Sequence, residues 1–129
     1  MKWNRAALRP LAERLVGSTD TTTAVFVRTD QVPQNELWLL DFAALYNQSG
    51  ESITAQWVIL EGSRVIFISA DLTVADGDAV ASTELPTLRE GERFAARAVG
   101  TAKLGMITLV VSGVRLPELA TIPREPAVG

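Results

Sequence analysis

From Thr21 to about Val114, turn-forming residues interrupt short runs of β-branched and aromatic residues roughly every eight to twelve positions. This punctuation constrains the fold more than any other feature, because a helix needs a longer uninterrupted stretch with a 3.6-residue period. The body is therefore expected to be mainly β, an antiparallel β-sandwich of about eight strands. The expected strands are Thr22 to Thr29, Glu36 to Tyr46, Ser52 to Leu60, Arg64 to Ser69, Leu72 to Val74, Ala79 to Thr83, Arg93 to Val99 and Met106 to Val114. Between them lie Val32-Pro33-Gln34-Asn35, Asn47-Gln48-Ser49-Gly50, Glu61-Gly62, Asp76-Gly77-Asp78, Glu90-Gly91 and Gly100, each with the chemistry of a turn.

Alternation then assigns faces. Phe94, Ala96 and Ala98 alternate with Arg93, Ala95 and Arg97, which puts Arg93 and Arg97 on a solvated or interfacial strand face. Ile53, Ala55, Trp57 and Ile59 alternate with Thr54 and Gln56 in the same sense. By contrast, Leu37-Trp38-Leu39-Leu40 and Met106 to Val111 are apolar on both faces, as in a strand central to a sandwich, covered by an arm, or placed at a subunit interface.

Ahead of the β body, Trp3, Ala7, Leu8, Leu11, Ala12 and Leu15 recur at intervals of three and four, predicting an amphipathic helical arm across Trp3 to Val16, firmest from Pro10. Gly17-Ser18-Thr19-Asp20 supplies a stop and a hinge. An arm this short has no core of its own, so Trp3 must bury against this body or a neighbouring chain. At the other end, Pro117, Pro123 and Pro126 exclude a helix or a central strand. Three regions result: a helical arm and hinge at 1–20, a sandwich at 21–116, and an extended tail at 117–129.

The chain has 129 residues, one domain's worth. Its net charge of −3, from 12 basic and 15 acidic residues, disfavours nucleic acid as a partner. No apolar run is long enough to span a bilayer, and the first residues lack a signal-peptide pattern, so synthesis in the cytoplasm without membrane insertion is expected.

Histidine and cysteine are both absent, which removes the commonest general base, the commonest metal ligand and all thiol chemistry. No catalytic residue, cofactor or metal is assigned, and the chain is not expected to be an enzyme. Asp71, Asp76 and Asp78 match no calcium loop and read better as a hairpin turn. A glycosidase-like pairing of Glu36 or Asp41 is outweighed by a solvated surface. Trp38 and Trp57 lie in apolar strand patterns and are expected in the core; exposed, they would suit a carbohydrate-binding module.

The text Glu36-Leu-Trp-Leu-Leu-Asp-Phe-Ala-Ala-Leu-Tyr-Asn-Gln-Ser-Gly50, then Ile53 to Leu60, then Leu85-Pro-Thr-Leu-Arg-Glu-Gly-Glu-Arg-Phe-Ala-Ala-Arg-Ala-Val99, resembles small jelly-roll virion proteins of tailed bacteriophages. The likeness spans roughly residues 22 to 115. It implies a jelly-roll-like sandwich, a place in the virion, and a capsid decoration or cement role, with a neck or head-to-tail ring as the alternative. It also implies a homo-oligomer, a trimer ahead of a six- or twelve-fold ring, bound to major capsid or other virion proteins. Trp3, Leu8, Leu11 and Leu15 would then be the arm's contacts, and Arg93 and Arg97 a polar interface.

Overall fold

The computed structural model describes residues 9–18, 24–99 and 105–117, and among these residues there is no helix. Ten strands are found there: β1 (Arg9–Ser18), β2 (Val25–Arg28), β3 (Glu36–Gln48), β4 (Ile53–Glu61), β5 (Arg64–Phe67), β6 (Leu72–Val74), β7 (Ala79–Ser82), β8 (Thr87–Arg89), β9 (Glu92–Val99) and β10 (Met106–Pro117). They form two antiparallel sheets. The first runs β1-β10-β3-β7, with β8 also paired to β3; the second runs β2-β9-β4-β5, with β6 also paired to β4.

One apolar core joins the sheets. Leu40, Ala43, Leu45, Ile107, Leu109 and Val111 of the first meet Val27, Ile53, Ala55, Phe94 and Ala96 of the second. The alternation expected for β9 holds: Phe94, Ala96 and Ala98 point inward and are fully buried. Small alanines beside Phe94 leave room for the Trp57 ring, which stacks on it with centroids 5.6 Å apart. Gly62 and Ser63 make the two-residue turn between β4 and β5, Gly62 at a φ of 60° that a side chain would resist.

The expected helical arm is corrected over its second half. Residues 9–18 are strand β1, paired along their whole length with β10 from Arg9↔Arg115 to Ser18↔Met106. Leu11, Glu13, Leu15 and Gly17 face inward, while Pro10, Ala12, Arg14 and Val16 face out, a period of two. Proline explains the preference. Pro10 lacks an N–H and would break a helix here, but β1 is an edge strand with a partner on one side only, where a missing donor is tolerated. The chain is tightly applied: a β-carbon on Gly17 would lie 2.7 Å from Val27 Cγ2. Residues 1–8, with the rest of the expected helix, lie outside the described residues, as do residues 118–129 of the expected tail.

Strand β3 changes phase partway. Opposite Ser112 and Gly113 the register shifts, so that Ser112 pairs with Phe42 and Gly113 with Leu40, leaving Asp41 as the extra residue. Inward positions are Trp38 and Leu40 before this bulge and Ala43, Leu45 and Asn47 after it. Asp41 and Phe42 thus both lie on the outer side, and Asp41 Oδ1 accepts a hydrogen bond from Ser112 Oγ at 2.8 Å.

Candidate functional site

The central strands β10 and β3 account for both two-faced apolar runs, and they lie side by side. Their inward residues fill the core. Outward, β10 presents Met106, Val110, Val114 and Leu116, and β3 presents Leu37, Leu39, Phe42 and Tyr46. Neighbouring strands extend this surface with Pro10, Ala12 and Val16 of β1 and Ala79 and Ala81 of β7. No described strand packs over it. Val16 is 62% exposed, Met106 46% and Tyr46 43%. Charges are sparse, with Arg14, Asp41 and Arg89 the charged strand residues of this face among those described. At its lower end a cavity of about 440 Å3 is lined by Arg14, Tyr46, Gln48, Thr108 and Val110, with Gly77 and Asp78 at its edge.

Such a face differs from an ordinary sandwich exterior, where outward positions are mostly polar and exposed apolar residues stand singly. A largely apolar sheet interrupted by a few polar groups, here Thr108 and the Ser112–Asp41 pair, resembles a protein interface in composition.

The residues expected to act fall elsewhere. Trp3 and Leu8 lie outside the described residues. Leu11 and Leu15 point into this chain's own core side, Leu11 being buried there, so they are not outward contacts of an arm. Arg93 and Arg97 do lie on an outer face, that of the second sheet, opposite Leu60 and Gln56. Arg93 Nη1 donates to the Thr29 carbonyl at 3.0 Å and Arg97 Nη1 to Gln56 Oε1 at 3.0 Å. Val16 of the apolar face went unassigned in sequence because a helical reading of residues 3–16 turned its neighbours inward on the wrong period.

Carboxylates do not converge. Glu36 accepts from Trp38 Nε1 at 3.0 Å and faces Arg9 at 3.5 Å, whereas Asp41 is bonded to Ser112 on the outer side of the sheet. Asp76 Oδ1 accepts the Gly50 N–H at 2.9 Å, so this carboxylate ties two turns together. Among the described residues, no three of His, Cys, Asp and Glu group closely enough to hold a metal ion. Trp38 and Trp57 are both buried, so neither offers a platform for a sugar ring. No protein-family model, no curated protein and no solved structure matches the chain.

Proposed function

We propose that this chain is a jelly-roll virion structural protein, a capsid decoration or cement subunit that self-associates and clamps neighbouring coat subunits. The observation that carries the reading is the apolar outer face of β3 and β10, over which no described strand packs. A protein that works alone gains nothing from eight outward apolar side chains on its two central strands, whereas a repeated subunit gains about 25 cal/mol for each Å2 buried against a neighbour.

The strand order supports the fold named. Taking β1, β2, β3, β4, β6, β7, β9 and β10 as strands one to eight, the sheets read 1-8-3-6 and 2-7-4-5. With β5 and β8 set aside, that order is the one expected of a jelly roll, an architecture found in viral coat and lectin domains. Fold alone does not choose between those uses. Burial of both Trp38 and Trp57 favours assembly over sugar binding.

Native mass of the full chain tests the reading. A trimer is expected, and Val16→Asp with Met106→Asp should dissociate it while leaving the circular dichroism of the sheets unchanged. A six- or twelve-fold ring would replace the decoration role with that of a neck component. A monomer at every concentration, with or without the substitutions, overturns self-association.

A further inference from the structure

The outer face of the second sheet is also partly apolar, with Phe26, Val65, Phe67 and Val99 exposed, and differs from the first in carrying arginines. Its outward strand positions include Arg28, Arg93 and Arg97 and no carboxylate. Beneath the arginines, Val58, Leu60 and Ala95 form a second small buried cluster on the side away from the main core. Phe67, 52% exposed, lies under the Arg97 guanidinium at 5.7 Å. Arginine over aromatic and aliphatic ground, with no lysine, is typical of the centre of a protein interface.

Two of these guanidinium groups are already held in place by the hydrogen bonds of Arg93 to Thr29 and Arg97 to Gln56, so little side-chain freedom is left to lose on docking. The Arg28 side chain makes no hydrogen bond or ion pair among the described residues. Together with Arg93 and Gln31 it lines a cavity of about 270 Å3 between Gly62 and Gly91. Three carboxylates on the flanking turns are engaged within the chain, Glu61 with Arg64 at 3.1 Å, Glu90 with the Asn35 N–H at 3.3 Å and Glu92 with the Arg89 N–H at 2.8 Å, while Asp30 stands exposed beside Gln31.

The occupant follows from charge and direction. The net charge is −3, so setting these three arginines aside leaves −6 on the rest of the chain. Strand β4 runs from the Asp76-Gly77-Asp78 turn, which is bonded to Gly50 just before it, to the Arg28 and Arg93 cavity at its far end. Asp78 is exposed and makes no ion pair among the described residues, Arg14 beside it included. Asp78 and Arg28 are therefore opposite charges, unpaired among the described residues, at opposite ends of β4, which is head-to-tail complementarity. A heterologous contact of this kind closes into a ring when its rotation permits.

We infer that copies of this chain associate head to tail, the Asp78 turn of one meeting Arg28 and Arg93 on the second sheet of the next. This rests on the assembly reading above and adds a charged self-contact on the second sheet to the apolar one on the first.

Sedimentation of the full chain at low and high ionic strength tests it. Association should weaken as salt rises, because screened charges attract less, whereas a purely apolar contact would not weaken. Arg28→Glu and Asp78→Arg should each raise the dissociation constant about tenfold or more. The double variant, with both reversed in every copy, should recover most of the loss. Neither side chain has a partner among the described residues, so unfolding midpoints should stay close to the parent's. Arg28→Gln should give a smaller loss than Arg28→Glu. Assembly that is insensitive to salt and to both reversals overturns this contact while sparing the assembly reading. A double variant no better than the singles also overturns it. Absence of self-association in the parent chain removes both readings together. Binding of an oligothymidine strand that Arg28→Glu abolishes, without self-association, would make a nucleic acid the occupant instead.

Discussion

Asn47 Nδ2 donates to the Val74 carbonyl at 2.9 Å, joining the end of β3 to the end of β6 across 27 residues of chain. The same amide donates to the Glu51 carbonyl at 2.7 Å, and its Oδ1 accepts the Ser49 N–H at 2.9 Å. Its backbone adds bonds to Gly77 and Asp78. Asn47 is fully buried and thus satisfies three otherwise stranded groups at once. Asn47→Ala should cost about 2–4 kcal/mol, since each orphaned buried group costs about 1–3 kcal/mol and turn relaxation recovers part. A urea midpoint that falls with its slope unchanged is the expected result; an unchanged midpoint contradicts this role.

Gly113 sits where β3 slips register, and a β-carbon there would strike the Leu39 carbonyl oxygen. The obstacle is backbone in the middle of a sheet and has nowhere to move. At Gly17 the nearest atom is a Val27 methyl, which can rotate away. Gly113→Ala should therefore destabilise by more than about 3 kcal/mol, and Gly17→Ala by less, within the usual overpacking range of about 1–3 kcal/mol. Thermal midpoints of the two variants side by side give the comparison, and equal losses would refute it.

Much of this fold was legible because turn chemistry is local. Each described residue with positive φ, Asn35, Gly50, Gly62, Gly77 and Gly91, falls in a turn read from the sequence, and the strands between them start and end within a few residues of expectation. Strand β1 was misread because Leu8, Leu11, Ala12 and Leu15 fit a helical spacing, while the inward Glu13 hides the period of two that Leu11 and Leu15 also obey. Strand β8 is three residues long, too short to show any period. The apolar face was visible as strands without a polar side. That β3 and β10 are neighbours, so that their outer residues form one surface, depends on pairing across about 60 residues of chain and leaves no local trace.

Burial of Trp38 and Trp57 makes a spectroscopic prediction. Trp57 is packed on Phe94, and Trp38 has the Arg115 guanidinium 5.9 Å from its ring centre. In a Trp3→Phe variant, which removes the remaining tryptophan, emission should be blue-shifted, resistant to soluble quenchers and unchanged by added sugars. Quenching by a sugar would place a tryptophan at the surface and favour a carbohydrate-binding role.

Glu13 supplies a pH-dependent element of the fold. It is an inward-facing carboxylate on β1, and burial pushes its pKa above the ordinary glutamate value. The bond from the Asp30 N–H, at 3.3 Å, pulls it back down; the Asp30 charge pushes up and Arg115 pulls down by smaller amounts. With the folded pKa raised, the folded chain holds this proton to higher pH than the unfolded chain does, so stability falls as pH rises through that interval. The contribution is complete below the unfolded glutamate pKa of about 4.3 and is lost once pH passes the raised folded value. Glu13→Gln keeps an acceptor for Asp30 and removes the titration. The gain in thermal midpoint of Glu13→Gln over the parent should therefore be larger at neutral pH than at about pH 4. A difference that is the same at both would mean that Glu13 reaches water freely in the folded chain.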